Sequence, residues 1–124
     1  MYIPKIQDIT LNPRPAYDDS IITGSPKATG RIVSLSEDRR VAHVIWHGTP
    51  GTYRFEPDPK ITDTGYVVEG RVIIRQEGKP DLHLGPGSLV EFPQQPFEFE
   101  IVEPFTKHSV LHHPDGLSVQ AEPL

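Results

Sequence analysis

Fourteen prolines and ten glycines are spread along 124 residues, leaving no stretch in which a helix of ordinary length can run uninterrupted. Proline removes a backbone donor and clashes with the preceding helical turn, and glycine gives up the most backbone freedom on ordering. Between these breakers lie short runs rich in Val, Ile, Tyr and Phe, the side chains that suit a pleated, half-buried surface. Such runs occupy 41–47, 52–56, 66–69, 71–76, 81–84, 88–92, 97–102 and 107–112, with shorter candidates at 21–22, 31–35 and 117–120. Gly48-Thr49-Pro50-Gly51, Glu77-Gly78-Lys79-Pro80 and Gly85-Pro86-Gly87 read as turns between them. Gly70 is expected at a hairpin between 66–69 and 71–76, and Glu103-Pro104 is expected to end the strand over 97–102. About eight or nine strands at roughly ten-residue spacing predict an all-β antiparallel barrel. The weakly patterned residues 1–30 read as an extended N-terminal arm, packed on its own barrel or on a neighbouring subunit, and 31–124 as one barrel domain.

Composition narrows the function classes. With no cysteine, thiolate metal sites, disulfides and cysteine nucleophiles are excluded. A net charge of −5 with scattered Lys and Arg argues against nucleic acid as a partner, because binding needs cations to displace phosphate counterions. No apolar run approaches the ~20 residues of a membrane span, and the N-terminus lacks a basic stretch followed by a long apolar one, so a cytoplasmic location without membrane contact is expected. The expected partner is a small molecule, with bulk charge favouring neutral or cationic ones.

Two spacings carry a family resemblance. Asp63, six residues and Gly70, with Tyr66-Val67-Val68-Glu69-Gly70 inside, are similar to the first cupin motif; Gly87, five residues and Pro93 are similar to the second. Trp46, Thr49-Pro50-Gly51-Thr52-Tyr53 and Glu103-Pro104-Phe105-Thr106-Lys107 resemble landmarks of the ureidoglycine aminohydrolase and ethanolamine-utilisation type (DUF861-like) cupins, within the RmlC-like superfamily. The resemblance covers about two-thirds of the chain, 41–113, and implies a double-stranded β-helix, a jelly-roll barrel with a ligand site inside it. It also implies a homodimer paired through sheet edges and N-terminal arms. Metal-binding cupins carry histidines where this chain has Glu56 and Asp58, and near Glu98, so the ligand positions are degenerate. No metal or other cofactor is therefore expected. The alternative is Mn²⁺ or another hard divalent cation held by the oxygens of Glu56, Asp58, Asp63 and Glu98.

The candidate acids and bases are Glu56, Asp63 and Glu98; two carboxylates close together inside a barrel would share a proton and act as acid and base. Trp46, His47, Tyr53, Arg54, Tyr66 and Phe99 are the candidate substrate-binding residues, aromatics for the wall and Arg54 for a ligand carboxylate. A competing pattern is visible for Glu98: with Glu100 it alternates with Phe97, Phe99 and Ile101, which places the acids in water if the phenylalanines are core. The expected activity is metal-independent acid/base chemistry on a small polar metabolite, of isomerase, lyase, dehydratase, cyclase or hydrolase type. The rival expectation is a non-catalytic ligand-binding or dimerisation module.

Overall fold

A computed structural model describes residues 5–122; residues 1–4 of the expected arm and 123–124 of the expected barrel lie outside it. Nine strands follow in order: β1 (Asn12–Pro13), β2 (Ile21–Thr23), β3 (Ala28–Leu35), β4 (Val41–Gly48), β5 (Gly51–Phe55), β6 (Thr62–Arg75), β7 (Leu82–Leu84), β8 (Leu89–Glu91) and β9 (Phe97–His112). Every pairing is antiparallel. No helix among the described residues is long and apolar enough to cross a membrane.

The two long strands organise the molecule. β6 runs along one edge of β9 for nearly its whole length, while the other edge of β9 pairs first with β5 and then with β4. β8 pairs with the first half of β6 and β7 with the second. The result is two layers sharing β6 and β9, ordered β1-β3-β4-β9-β6-β8 and β2-β5-β9-β6-β7. The outermost strands of both layers are paired on one edge only, so the sheet is an open half-barrel rather than the closed jelly-roll barrel expected. The Gly- and Pro-rich segments around β7 and β8 hold each to three residues, too few ladder bonds to seal the seam.

Two expected breaks turn out to be bends inside strands. Gly70 is no hairpin turn: β6 passes through it, and the register against β9 shifts between Val67 and Val72. Its φ of +88° belongs to this bulge, where a side chain would collide with the Pro104 carbonyl. Pro104 in turn does not end a strand. It falls where β9 passes from β5 to β4, and the shifted register gives it no Cα partner on either side, so its missing N–H leaves no ladder bond unmade. The expected strand at 117–120 is irregular chain.

Between the layers lies an aromatic core of Trp46, Tyr53, Phe92, Phe97, Phe99 and Phe105, closed by Val67, Val72 and Ile101. A second, small cluster of Ile9, Val33 and Ile45 lies on the other face of β3 and β4, covered by Ile6 and Leu11 of the arm. The described residues of the arm form 3-10 turns at Ile6–Asp8 and Pro15–Ser20, and pair β1 with β3 and β2 with β5.

Candidate functional site

The layers separate at one end around a cavity of about 420 Å³, within the range of small-molecule sites. Its wall is mostly apolar and carries six aromatic rings: Trp46 of β4, Phe55 of β5, Phe92, and Phe97 and Phe99 of β9, with Tyr17 from the Pro15–Ser20 turn. The rings interlock edge to face, Trp46 against Phe99 at 6.0 Å and Tyr17 against Phe55 at 5.7 Å between centroids.

Two charged side chains enter this apolar space. Lys107 of β9 is opposite Val67 in register, and Asp63 lies four residues earlier on β6, hence on the same face. The lysine side chain runs along β6 to place Nζ 2.8 Å from Asp63 Oδ2 and 4.1 Å from the centroid of the Phe92 ring. Side-chain exposure is only 13% for Lys107 and 23% for Asp63. Asp63 Oδ1 is buried with no hydrogen-bond partner among the described residues. The Tyr17 hydroxyl lies near the Trp46 indole N–H, so the acceptor left open on the wall among the described residues is Asp63 Oδ1, which a polar ligand or water can satisfy. Burial pushes the Tyr17 phenol up from its ordinary range, and the negative charge of Asp63 adds to the shift against smaller opposing pulls from Arg14 and from a hydrogen bond with Trp46. Tyr17 thus stays a protonated donor at neutral pH.

The expected site residues divide by face. Asp63, Glu56, Trp46 and Phe99 line the cavity, with Glu56 and Asp58 on the segment after β5 at its mouth. Tyr53 is fully buried just behind the wall, stacked on Phe55 and edge-on to Tyr17. Glu98 points the other way: it stands between Arg54 and Arg75 in the sheet register and lines a separate polar depression with them. One residue of strand parity separates it from the inward Phe97 and Phe99, so phenylalanine fills the space expected for an acid. His47 and Tyr66 are on the outer face, His47 Nδ1 2.8 Å from Thr106 Oγ1 and Tyr66 45% exposed. Lys107 and Tyr17, the groups nearest Asp63 in chemistry, are residues the sequence reading left out of the site.

The arrangement does not fit a divalent cation. The four carboxylates read as possible ligands do not converge. Asp58 is held at the surface by the Lys60 amide at 2.9 Å and by His113 at 3.3 Å, which also lower its pKa. Glu98 is on the opposite face of β9, and Asp63 already carries an ammonium. Among the described residues no three His, Asp or Glu side chains are placed to share an ion.

The family model of the EutQ-like cupin domain matches residues 35–108, more than half of the chain. The chain belongs to the EutQ-like cupin family. No curated protein matches it. Among solved structures, EutQ of Clostridium difficile superposes with a TM-score of 0.68 at 15% identity, over 90% of this chain and 79% of that one. Ectoine synthase from P. lautus gives 0.62 at 16%, over 91% and 78%. A DUF861-family protein of unknown function from Pseudomonas syringae pv. tomato gives 0.70 at 20%, over 83% of this chain and 44% of that one. At these identities the likeness is one of fold.

Proposed function

We propose that this cupin is an enzyme acting on a small polar metabolite by acid/base chemistry that needs no metal, with Asp63 as the proton acceptor. The observation that carries the reading is the Asp63–Lys107 pair inside an aromatic cavity, with Asp63 Oδ1 buried and unpartnered among the described residues. In such surroundings a carboxylate meets a substrate proton without competition from bulk water, and Lys107 stabilises negative charge that develops beside it. Tyr17 supplies a proton donor on the same wall. The expected pair of carboxylates is replaced here by a carboxylate and an ammonium. Glu56 at the mouth steers ligands rather than meeting the reacting atoms. Ectoine synthase, similar in fold, is by its name an enzyme, which is in keeping with catalysis on this scaffold. A homodimer formed through the outer sheet face is part of the same reading.

The test is ligand screening followed by kinetics. Trp46, the only tryptophan, lies on the cavity wall, so its emission reports entry of any member of a panel of small acids, amines, amides and sugars. For a compound that is bound and turned over, Asp63→Asn is expected to lower kcat by about 10²–10⁴-fold while Glu98→Gln leaves it unchanged. Turnover by Asp63→Asn at the wild-type rate would refute the assignment. Ligands that bind and are never altered would establish the binding-module reading instead.

A further inference from the structure

The cavity wall is not made by the barrel alone, and the piece the arm contributes is tied to the far end of the chain. Ala16, Tyr17 and Ser20 of the Pro15–Ser20 turn line the cavity, and the Tyr17 ring lies against Trp46 at 5.6 Å, Tyr53 at 6.2 Å and Phe55 at 5.7 Å. The turn is anchored after its end by β2 on β5 and in its middle by the Tyr17 ring on the core, and it is entered through Arg14. Its first carbonyl bond runs from the Tyr17 amide to Arg14 at 3.1 Å, and Arg14 is held to β3 by its amide on the Ala28 carbonyl at 2.9 Å. The Arg14 side chain donates to Glu122 through Nη2.

Glu122 is held by four hydrogen bonds, one through its backbone amide and three through its carboxylate. Its amide donates to the Ile32 carbonyl at 2.8 Å, and its Oε1 accepts from the Ile32 amide at 3.0 Å as well as from Arg14 Nη2. Its other oxygen accepts from Asn12 Nδ2 at 2.6 Å, on β1. One carboxylate therefore ties β3, β1 and the residue that enters the Tyr17 turn. A surface ion pair contributes little by itself, but a carboxylate with several charge-assisted bonds fixes geometry.

We propose that Glu122 is a positioning residue for the cavity: through Arg14 it sets where the Tyr17 turn lies, and hence whether the ring covers Trp46. Glu122 then controls the shape of the ligand site without lining it. Loss of the clamp leaves the barrel folded on its own core while the Tyr17 turn opens locally, the low-stability kind of motion that connects such segments to function. The functional consequence rests on the cavity being the ligand site; the positional claim does not.

The experiment needs no ligand. In the full chain, Glu122→Ala and Arg14→Ala are each expected to red-shift native-state Trp46 emission and to raise its acrylamide quenching constant about twofold, as local opening exposes the indole. Glu122→Gln keeps the shape and part of the bonding and is expected between these and wild type. Tyr17→Ala should give the same change, and the double variant Tyr17→Ala with Glu122→Ala no more than Tyr17→Ala alone, since the two act through one element. Emission and quenching of Glu122→Ala identical to wild type, with only the melting temperature lowered, would overturn the proposal and leave Glu122 a structural clamp. Additive changes in the double variant would overturn it too, because Glu122 would then act on Trp46 by another route. If these variants behave as expected while Asp63→Asn keeps full turnover, the positional inference stands and the catalytic reading falls.

Discussion

His43 Nδ1 and His108 Nε2 face each other at 3.3 Å on the outer face, their rings inclined by only 18°. One hydrogen bond can join them only while one facing nitrogen is bare, so a fully protonated pair must break it. Burial pushes the His108 pKa down, and the positive charge of His43 pushes it further. A histidine that protonates less readily folded than unfolded gives stability that is present above the unfolded value of roughly 6.5 and is lost as pH falls through the lower, folded value. Melting temperature is therefore expected to decline from pH 7.5 toward pH 5, and His108→Gln to flatten that decline; an unchanged slope in thermal scans of the variant would show that other groups set it. Faces of this kind were legible in the sequence only to within one residue. The alternation in 97–101 was clear, with Phe97, Phe99 and Ile101 against Glu98 and Glu100, and it already contained the right answer for Glu98. For His47 no such contrast existed, because Ile45 on its own face is also buried, under the arm.

At the scale of elements, the positions of β2 to β5, β7 and β8 followed from the breakers, whereas Gly70 and Pro104, taken as ends, split β6 and β9, and β1 carried no strand pattern. Each obeys its local rule, but the rules permit a bulge as readily as a turn, and only the partner strand decides between them. The two meet in space: a Cβ at Gly70 would come within 2.1 Å of the Pro104 carbonyl oxygen, and φ there is +88°. Gly70→Val is thus expected to cost about 3 kcal/mol or more, from a left-handed backbone added to overpacking against main chain. Pro104→Ala, exposed and without a ladder partner, is expected to cost less than about 1 kcal/mol, mostly through a freer unfolded chain. Urea titration of the two variants checks the contrast, and similar losses for both would mean that the seam between β6 and β9 is not where β6 is pinned. The site was half legible for the same reason. Asp63 was found through its spacing to Gly70, but Lys107 lies 44 residues beyond Asp63, and only the β6–β9 register brings them together.

Across the whole molecule, the open half-barrel leaves surface that a closed one would not. Leu89 of β8 is 78% exposed and pairs in register with Tyr66 of β6, which is 45% exposed and in turn opposite His108 of β9. A leucine and a tyrosine side by side on an outer sheet face, beside a strand with one free edge, are the features that self-association covers. This face is the one we propose for docking of a second copy. Burying Leu89 would contribute about 1.5–3 kcal/mol per side, part of the about 8 kcal/mol that a micromolar Kd needs. Light scattering of the wild type at 10 µM is expected to give twice the 13.9 kDa chain mass, on the order of a micromolar Kd. Leu89→Glu, on an exposed three-residue strand and so without effect on the core, is expected to give the monomer, and more so at low salt, where a chain of net charge −5 repels its copy most strongly. A wild-type protein already monomeric at that concentration would remove the dimer from the reading, and a dimer that Leu89→Glu leaves intact would move it to another face.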